Sequence, residues 1–384
     1  MDSRRLYYID SHRDRCTSRV LACREEKEGY QVLLEETVFF PEGGGQAGDQ
    51  GSIGPARVLD TQEIDGQVWH LCDRALDEGE SYDCRLDWQL RFSRMQAHTG
   101  EHIVSGLAHS LFGCENVGFH MGRGVTIDFD KELDWDQLME IEQRANEAVW
   151  QDLPVTAWYP PEEELEALPY RSKLDLKENV RIVKIPGIDL CACCAPHMAH
   201  TGEVGLIKIL TAQRHRGGVR LELAFGAAAL EQVRLMQDNI TAISQALSVQ
   251  RQDTAAAVEK LLKEKQEEKL LRDELNMALA RRIAQSFSCR EENIVVFEDA
   301  LDPVSLREMV NLLMEKTAGI AAAFAKEGEG YRYIMGSLHV DMRSKAREIN
   351  SLIEGRGGGK PQMIQGSAQA DRESIEKALA RDFR

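Results

Sequence analysis

Residues 91–113 read RFSRMQAHTGEHIVSGLAHSLFG, and the chain is organised around this stretch. Met95, Thr99, His102, Ile103, Gly106, Leu107 and Ser110 recur at intervals of three and four, the periodicity of a helix, and Gly113 stands where such a helix would stop. His98 and His102 are four apart, so on a helix both imidazoles leave one face a turn apart and can close on one metal ion. The same spacing also suits two ordinary core or surface histidines. A distant stretch, Asp189–Gly205, DLCACCAPHMAHTGEVG, shifts the balance, because Cys193 and His197 stand four apart there in a turn-rich loop. Two histidines from a helix with a cysteine and a histidine from a loop form a four-donor N/S set, which suits zinc better than other common biological metals. Cys191 and Cys194 offer the same thiol chemistry, and spacing alone leaves the register open.

The bulk composition fits this reading. A chain of 384 residues is long enough for two or three domains, and 43% hydrophobic with 29% charged residues describes a soluble globular protein. No apolar run approaches the roughly 20 residues that span a bilayer. The opening MDSRRLYYIDSHRDR is too polar for a secretory signal peptide. Nine cysteines, three of them crowded into CACC, imply reduced thiols and metal ligation in a cytoplasmic setting rather than a disulfide framework. The net charge of −17 argues against an extended basic face. A phosphate backbone would have to meet local clusters: Arg91/Arg94, Arg214/His215/Arg216/Arg220, or Arg343/Lys345/Arg347 with Arg356/Lys360. Each cluster reads equally well as a solvated face.

In chain order the expectation is an α+β protein in four parts. Residues 1–88 read as a small β-barrel, with strands near 17–23, 30–37, 56–61 and 68–71. Its unusual feature is the loop TVFFPEGGGQAGDQGSIG, where Gly43, Gly44 and Gly45 allow close backbone approach and Gln46 and Asp49 supply polar side chains. Residues 89–226 read as a mixed α and β unit, with a helix capped by Asp134 and faced by Leu138, Ile141, Ala145 and Val149. Residues 227–285 lack Pro and Gly and read as a long helical arm of coiled-coil character. Residues 286–384 alternate strands and helices as a small α/β domain. Between its last two helices lies GRGGGKPQMIQG (355–366), read as a glycine-rich loop whose Arg356 and Lys360 suit a phosphate or RNA backbone.

With these motifs laid out, the chain resembles the AlaX family of alanyl-tRNA editing proteins and the matching parts of alanyl-tRNA synthetase. The resemblance is carried in order by PEGGGQAGDQG, HTGEH, VGFHMG with TIDF, CCAPHMAHTGEVG, GGVRLELAFG and GGGKPQMIQGSA, over nearly the whole length. It implies a free-standing, long-form, ATP-independent hydrolase that deacylates tRNA for alanine wrongly charged with serine or glycine. It also sets the register of the ligands: His98, His102, Cys193 and His197 hold Zn2+, His200 falls outside, and Cys191 and Cys194 become neighbours of the site. The helical arm and C-terminal domain resemble parts that dimerise and touch the tRNA.

Around the metal, Glu101 is the nearest candidate base, expected to turn away from the ligand face. Thr99, His120 and Gln46 are candidates for holding the amino acid. Four protein ligands leave no vacant position, in tension with a catalytic zinc. Two other readings compete. His98-Thr-Gly-Glu101-His102 is also the H-x-x-E-H signature of inverzincin metallopeptidases. A zinc-stapled tRNA-binding module without catalysis would use the same ligands.

Overall fold

A computed structural model describes residues 4–122, 124–172 and 180–383, so Arg123 of the VGFHMGRG stretch lies outside the described residues. The chain divides into two compact units, Met1–Thr241 and Ala242–Arg384. As expected, the protein mixes α and β elements.

The first unit opens with the short strand β1 (Arg4–Arg5), then β2 (Arg15–Glu26), β3 (Gly29–Leu34) and β4 (Glu36–Thr37), the last pairing in parallel with β1. They are followed by β5 (Gly51–Ile53), β6 (Ala56–Ile64), β7 (Gln67–Cys72) and β8 (Ser81–Leu86). Strands β2, β3, β7, β6, β5 and β8 bond in that order, and β8 returns to β2, so the ring closes. Alternation builds it: along β2, Cys16, Ser18 and Val20 face inward while Arg15, Thr17 and Arg19 face water. Bulges at Val20/Ala22 and Val58/Asp60 supply the bend that closure needs. Val32, Leu34, Ile53, Val58, Cys72 and Cys84 fill the interior. Sequence patterning missed β5 and β8.

The central helix α1 (Trp88–Phe112) begins where the Asp87 side chain accepts from Leu90 N–H and ends at Gly113 in the left-handed conformation, φ 63°. It is buried without a break from Ala97 to Ala108, polar residues included. At Gly106 a Cβ would stand 2.4 Å from the Ile188 carbonyl oxygen, so only glycine lets that turn pack onto the helix. Around α1 lie β9 (Asn116–Met121), β10 (Val125–Phe129), α2 (Trp135–Trp150), β11 (Thr156–Trp158), α3 (Glu162–Ala167), β12 (Ile182–Ile185), β13 (Asp189–Ala192), β14 (Ile207–His215) and β15 (Gly218–Phe225). They form a four-stranded sheet ordered β14-β15-β10-β9 and a three-stranded sheet β11-β12-β13. Asp134 caps α2 in a full capping box with Gln137, and Leu138, Ile141, Ala145 and Val149 are buried as the pattern required. One correction concerns Asp189–Ala192: it is a strand paired with β12, so the loop proper begins at Cys193.

The barrel is tied to α1 by charge. Arg91, fully buried, donates to the Asp49 carboxylate, to Val38 O at 2.8 Å and to Ser11 O at 3.2 Å. Arg94 donates to Gly48 O at 2.8 Å.

Helix α4 (Gly226–Leu247) ends at Ser248, φ 54°, and α5 (Thr254–Ser286) follows a short turn. The residues 227–285 are therefore two helices, and Leu235, Leu261, Leu262, Leu270, Leu271 and Leu275 are exposed along them. The second unit continues with β16 (Ile294–Phe297), α6 (Pro303–Met314), β17 (Ala321–Glu327), β18 (Gly330–Gly336), α7 (Met342–Leu352), β19 (Gly355–Lys360), β20 (Met363–Ala368) and α8 (Arg372–Leu379). Its sheet runs β16-β17-β18-β20-β19 with only β16 and β17 parallel. Asp302, Asp341 and Asp371 cap its helices. The stretch 355–366 is not a loop. It is a β-hairpin whose glycine-rich arm forms the exposed sheet edge. Among the described residues no helix is long and apolar enough to cross a membrane.

Removing one partner of a buried ion pair strands the other charge. Arg91→Ala is expected to cost about 3–5 kcal/mol in denaturant unfolding, whereas Arg74→Ala, on the exposed Asp73 pair, should cost under ~1 kcal/mol.

Candidate metal centre

Helix α1 and the loop after β13 place four donors together. His98 Nε2 and His197 Nε2 each lie 3.4 Å from Cys193 Sγ. The donor atoms of His98, His102, Cys193 and His197 all lie within 4.8 Å of one another. The opposite nitrogen of each ring is engaged. His98 Nδ1 is 3.3 Å from Gln46 Oε1, His102 Nδ1 is 2.8 Å from Asp189 Oδ2, and His197 Nδ1 is 3.2 Å from Thr99 Oγ1. The Gln46 and Asp189 oxygens can only accept, so Nδ1 of His98 and of His102 carries a proton, and the Thr99 hydroxyl holds the His197 ring from behind. Asp189 is itself held, since Arg171 Nε donates to its other oxygen at 2.8 Å.

The electrostatics suit a cation. Burial penalises the Cys193 thiolate, yet His98 and His197 outweigh this and hold the thiol well below its ordinary range. Burial likewise opposes charge on His102, but the Asp189 carboxylate and the Cys193 sulfur keep its imidazolium well above the usual value. Burial pushes His197 down to about 3, so it is a neutral donor. Cys191 and Cys194 are pushed up to about 11 by burial and remain thiols at neutral pH. Three imidazoles and one thiolate, each ring nitrogen oriented from behind, fit zinc.

His98, His102 and Cys193 line a cavity of about 950 Å³ that Gly44, Gly45, Glu101, Asn116 and Arg171 also line. Glu101 does not turn away from the ligands. It is buried at 5% exposure, Oε1 accepts from Ser105 Oγ at 2.7 Å and from Asn116 Nδ2, and Oε2 lies 3.8 Å from His102 Nε2. Thr99 is fully buried and its hydroxyl is shared by His197 and Met198 N–H at 3.0 Å, which makes it an orienting group. Gln46 orients His98, and Gly43 and Gly44 pass beside Cys194 Sγ. At Gly45, φ 83°, a Cβ would meet Phe119 O at 2.9 Å, so the loop can pass this close only as glycine. Two candidates stand apart. His120 is exposed on β9, where the strand alternation turns it away from buried Phe119, and the Asp49 carboxylate is taken by Arg91 and Phe40 N–H. Arg356 and Lys360 sit on the exposed edge strand of the second unit. Sequence reasoning passed over Asp189, Arg171 and Asn116. Asp189 lay inside the quoted cysteine stretch, but nothing in spacing says which acid will reach a histidine 87 residues earlier.

Comparison with known proteins agrees with the motifs. The family described as "Threonyl and Alanyl tRNA synthetase second additional domain" matches residues 180–222, and the "DHHA1 domain" matches residues 291–381. The chain is 34% identical over 245 residues to the "Alanyl-tRNA editing protein AlaX-L" of Pyrococcus horikoshii, covering 60% of this chain and 59% of that protein. It is 28% identical to the "Alanine--tRNA ligase" of Methanopyrus kandleri over 94% of this chain and 42% of the ligase. The corresponding ligase of Natronomonas pharaonis is 30% identical over 98% of this chain and 43% of the ligase. The chain thus spans about three fifths of the editing protein and under half of the ligases. A crystal structure of the C-Ala domain of Aquifex aeolicus alanyl-tRNA synthetase matches 25% of this chain and 96% of that domain at 20% identity, with a TM-score of 0.20. The chain is similar to the AlaX-type alanyl-tRNA editing proteins and to part of alanyl-tRNA synthetase.

Zinc must displace the proton that His102 carries in the metal-free protein. Apparent zinc affinity should therefore rise with pH through neutrality, about tenfold per unit for one proton, and flatten above the His102 value. Zinc titration against a chelator at several pH values checks the slope. Asp189→Asn should weaken zinc binding about 10- to 100-fold at fixed pH.

Proposed function

We propose that this relative of the AlaX proteins hydrolyses the ester of tRNA for alanine wrongly charged with serine or glycine, using zinc and no ATP, in the cytoplasm. What carries the reading is a cluster of three imidazole nitrogens and one thiolate, of which His98, His102 and Cys193 line a cavity of about 950 Å³. When bound, zinc supplies a Lewis acid for a carbonyl and lowers the pKa of water.

The chain's own groups supply the rest. Glu101 is anchored through one oxygen by Ser105 and Asn116, and its other oxygen is poised beside His102. In our reading that free oxygen orients the attacking water and receives its proton. Gly44 and Gly45 let backbone approach the acyl group without side chains in the way. Thr99, Gln46 and Asp189 keep the imidazoles turned toward the metal. Buried polar groups left unpaired by alanine, which lacks a hydroxyl, would favour serine over the correct amino acid. We keep the fourfold division 1–88, 89–226, 227–285 and 286–384, with a homodimer through the arm and C-terminal part and tRNA contacts from Arg356 and Lys360.

One observation favours a second reading: four protein donors make a closed set of the structural type, as in a zinc-stapled tRNA-binding module. The metallopeptidase reading needs a carboxylate ligand, and the cluster of His98, His102, Cys193 and His197 contains none, Asp189 standing behind His102 at Nδ1.

Deacylation of seryl- and glycyl-tRNA, measured beside zinc content, separates these. His98→Ala and Cys193→Ala should abolish serine release, while Glu101→Gln should keep zinc and lose roughly 10²- to 10⁴-fold in kcat. Wild-type protein that binds zinc and tRNA without releasing the amino acid would establish the stapled module instead.

A further inference from the structure

We infer that the aromatic corner at the rim of the cavity, Tyr159 against Tyr8, seats the terminal nucleoside of the acylated strand; this rests on the deacylase reading above. Both tyrosines line the cavity that holds His98, His102 and Cys193. Their rings meet edge to face, 6.1 Å apart at 80°. Tyr8 is already packed. Tyr7 abuts it at 4.6 Å, and the Arg181 guanidinium lies 5.3 Å from its ring centre. Arg181 in turn donates to Cys193 O at 3.0 Å and Ala195 O at 2.8 Å, which fixes Tyr8 relative to the loop that carries the thiolate. Tyr159, by contrast, is 51% exposed.

The cavity is far larger than a seryl or glycyl group, and its volume of about 950 Å³ lies near the top of the range for sites that enclose a whole small molecule. With the ester at the donors, the other side of that ester is a ribose bearing a base. A base laid flat on the open face of Tyr159 and bounded by the edge of Tyr8 fills the remainder. Stacking of this kind tolerates any base and needs no hydrogen-bond code.

The test uses the zinc-loaded full chain with seryl-tRNA. Tyr159→Ala should raise KM about five- to 150-fold with kcat nearly unchanged, and Tyr159→Phe should keep the wild-type KM. Unchanged KM in Tyr159→Ala, or equal loss in Tyr159→Phe, overturns the inference. Independently of any variant, adenosine 5′-monophosphate should inhibit the wild type competitively and ribose 5-phosphate should not. Equal inhibition by both, or by neither, also overturns it. If the wild type releases no serine, the deacylase reading fails by itself. The subsite is then judged by dialysis against adenosine 5′-monophosphate: binding that Tyr159→Ala loses supports it, and equal or absent binding refutes it.

Discussion

A helix that carries His98, Thr99, Glu101, His102 and Ser105 into the interior is tolerable only if each of those groups finds a partner there. An unpaired buried polar group costs about 1–3 kcal/mol, so several on one helix would consume most of a domain's stability. Apart from the Ser105–Glu101 bond within the helix, the partners come from different parts of the first unit: Gln46 from the barrel loop, Asn116 from β9, Asp189 from β13, and His197 with the Met198 amide from the cysteine loop. Satisfying the helix and assembling the donor set are therefore one structural event.

Two buried charge networks fix how those parts meet. Arg91 links α1 to Asp49 just after the glycine loop, and Arg171 links to His102 through Asp189. Neither is a cheap source of stability, because desolvating the ions offsets most of the attraction. Their value lies in register: a shift of the glycine loop or of β13 would strand a charge. That intolerance holds Gln46 behind His98 and Asp189 behind His102 within hydrogen-bond reach.

The local signals in the chain were legible where one residue type does one local job. Gly113 ends α1, Asp134 caps α2, and the apolar stripe of α2 points inward. The donor cluster was legible in part: two histidines four apart are a sequence-local device, whereas the choice of Cys193 among three crowded cysteines came from the family resemblance and not from spacing. What lay beyond reach was set by tertiary partners. Glu101 was expected to turn away from the ligand face because helical spacing gives a direction but not what packs there, and Asn116 and Ser105 hold it as a buried anchor beside His102. Gly355–Lys360 looked like a loop because glycine has low strand propensity, and the register with β20 overrides it: a Cβ at Gly357 would sit 2.3 Å from both Gln365 O and the Tyr333 hydroxyl.

Net charge poses the remaining question, since under the proposed deacylase reading a chain of −17 would have to attract a polyanion. The cations around the cavity do not answer it by charge alone. Arg5 is held bidentately by Glu63, Arg171 by Asp189, and Arg181 is engaged by two carbonyl oxygens. A phosphate arriving there meets two cations, Arg5 and Arg171, neutralised by carboxylates, and a third, Arg181, with donors already taken by carbonyl oxygens. Recognition at this mouth therefore depends on short-range forces, aromatic surface and hydrogen bonds, which act only once the strand end is inside. Long-range attraction would have to come from cations far from the donors. On the proposed reading that separation is useful, because the free energy of holding a tRNA body does not discriminate between right and wrong amino acids, whereas contacts made at the strand end can.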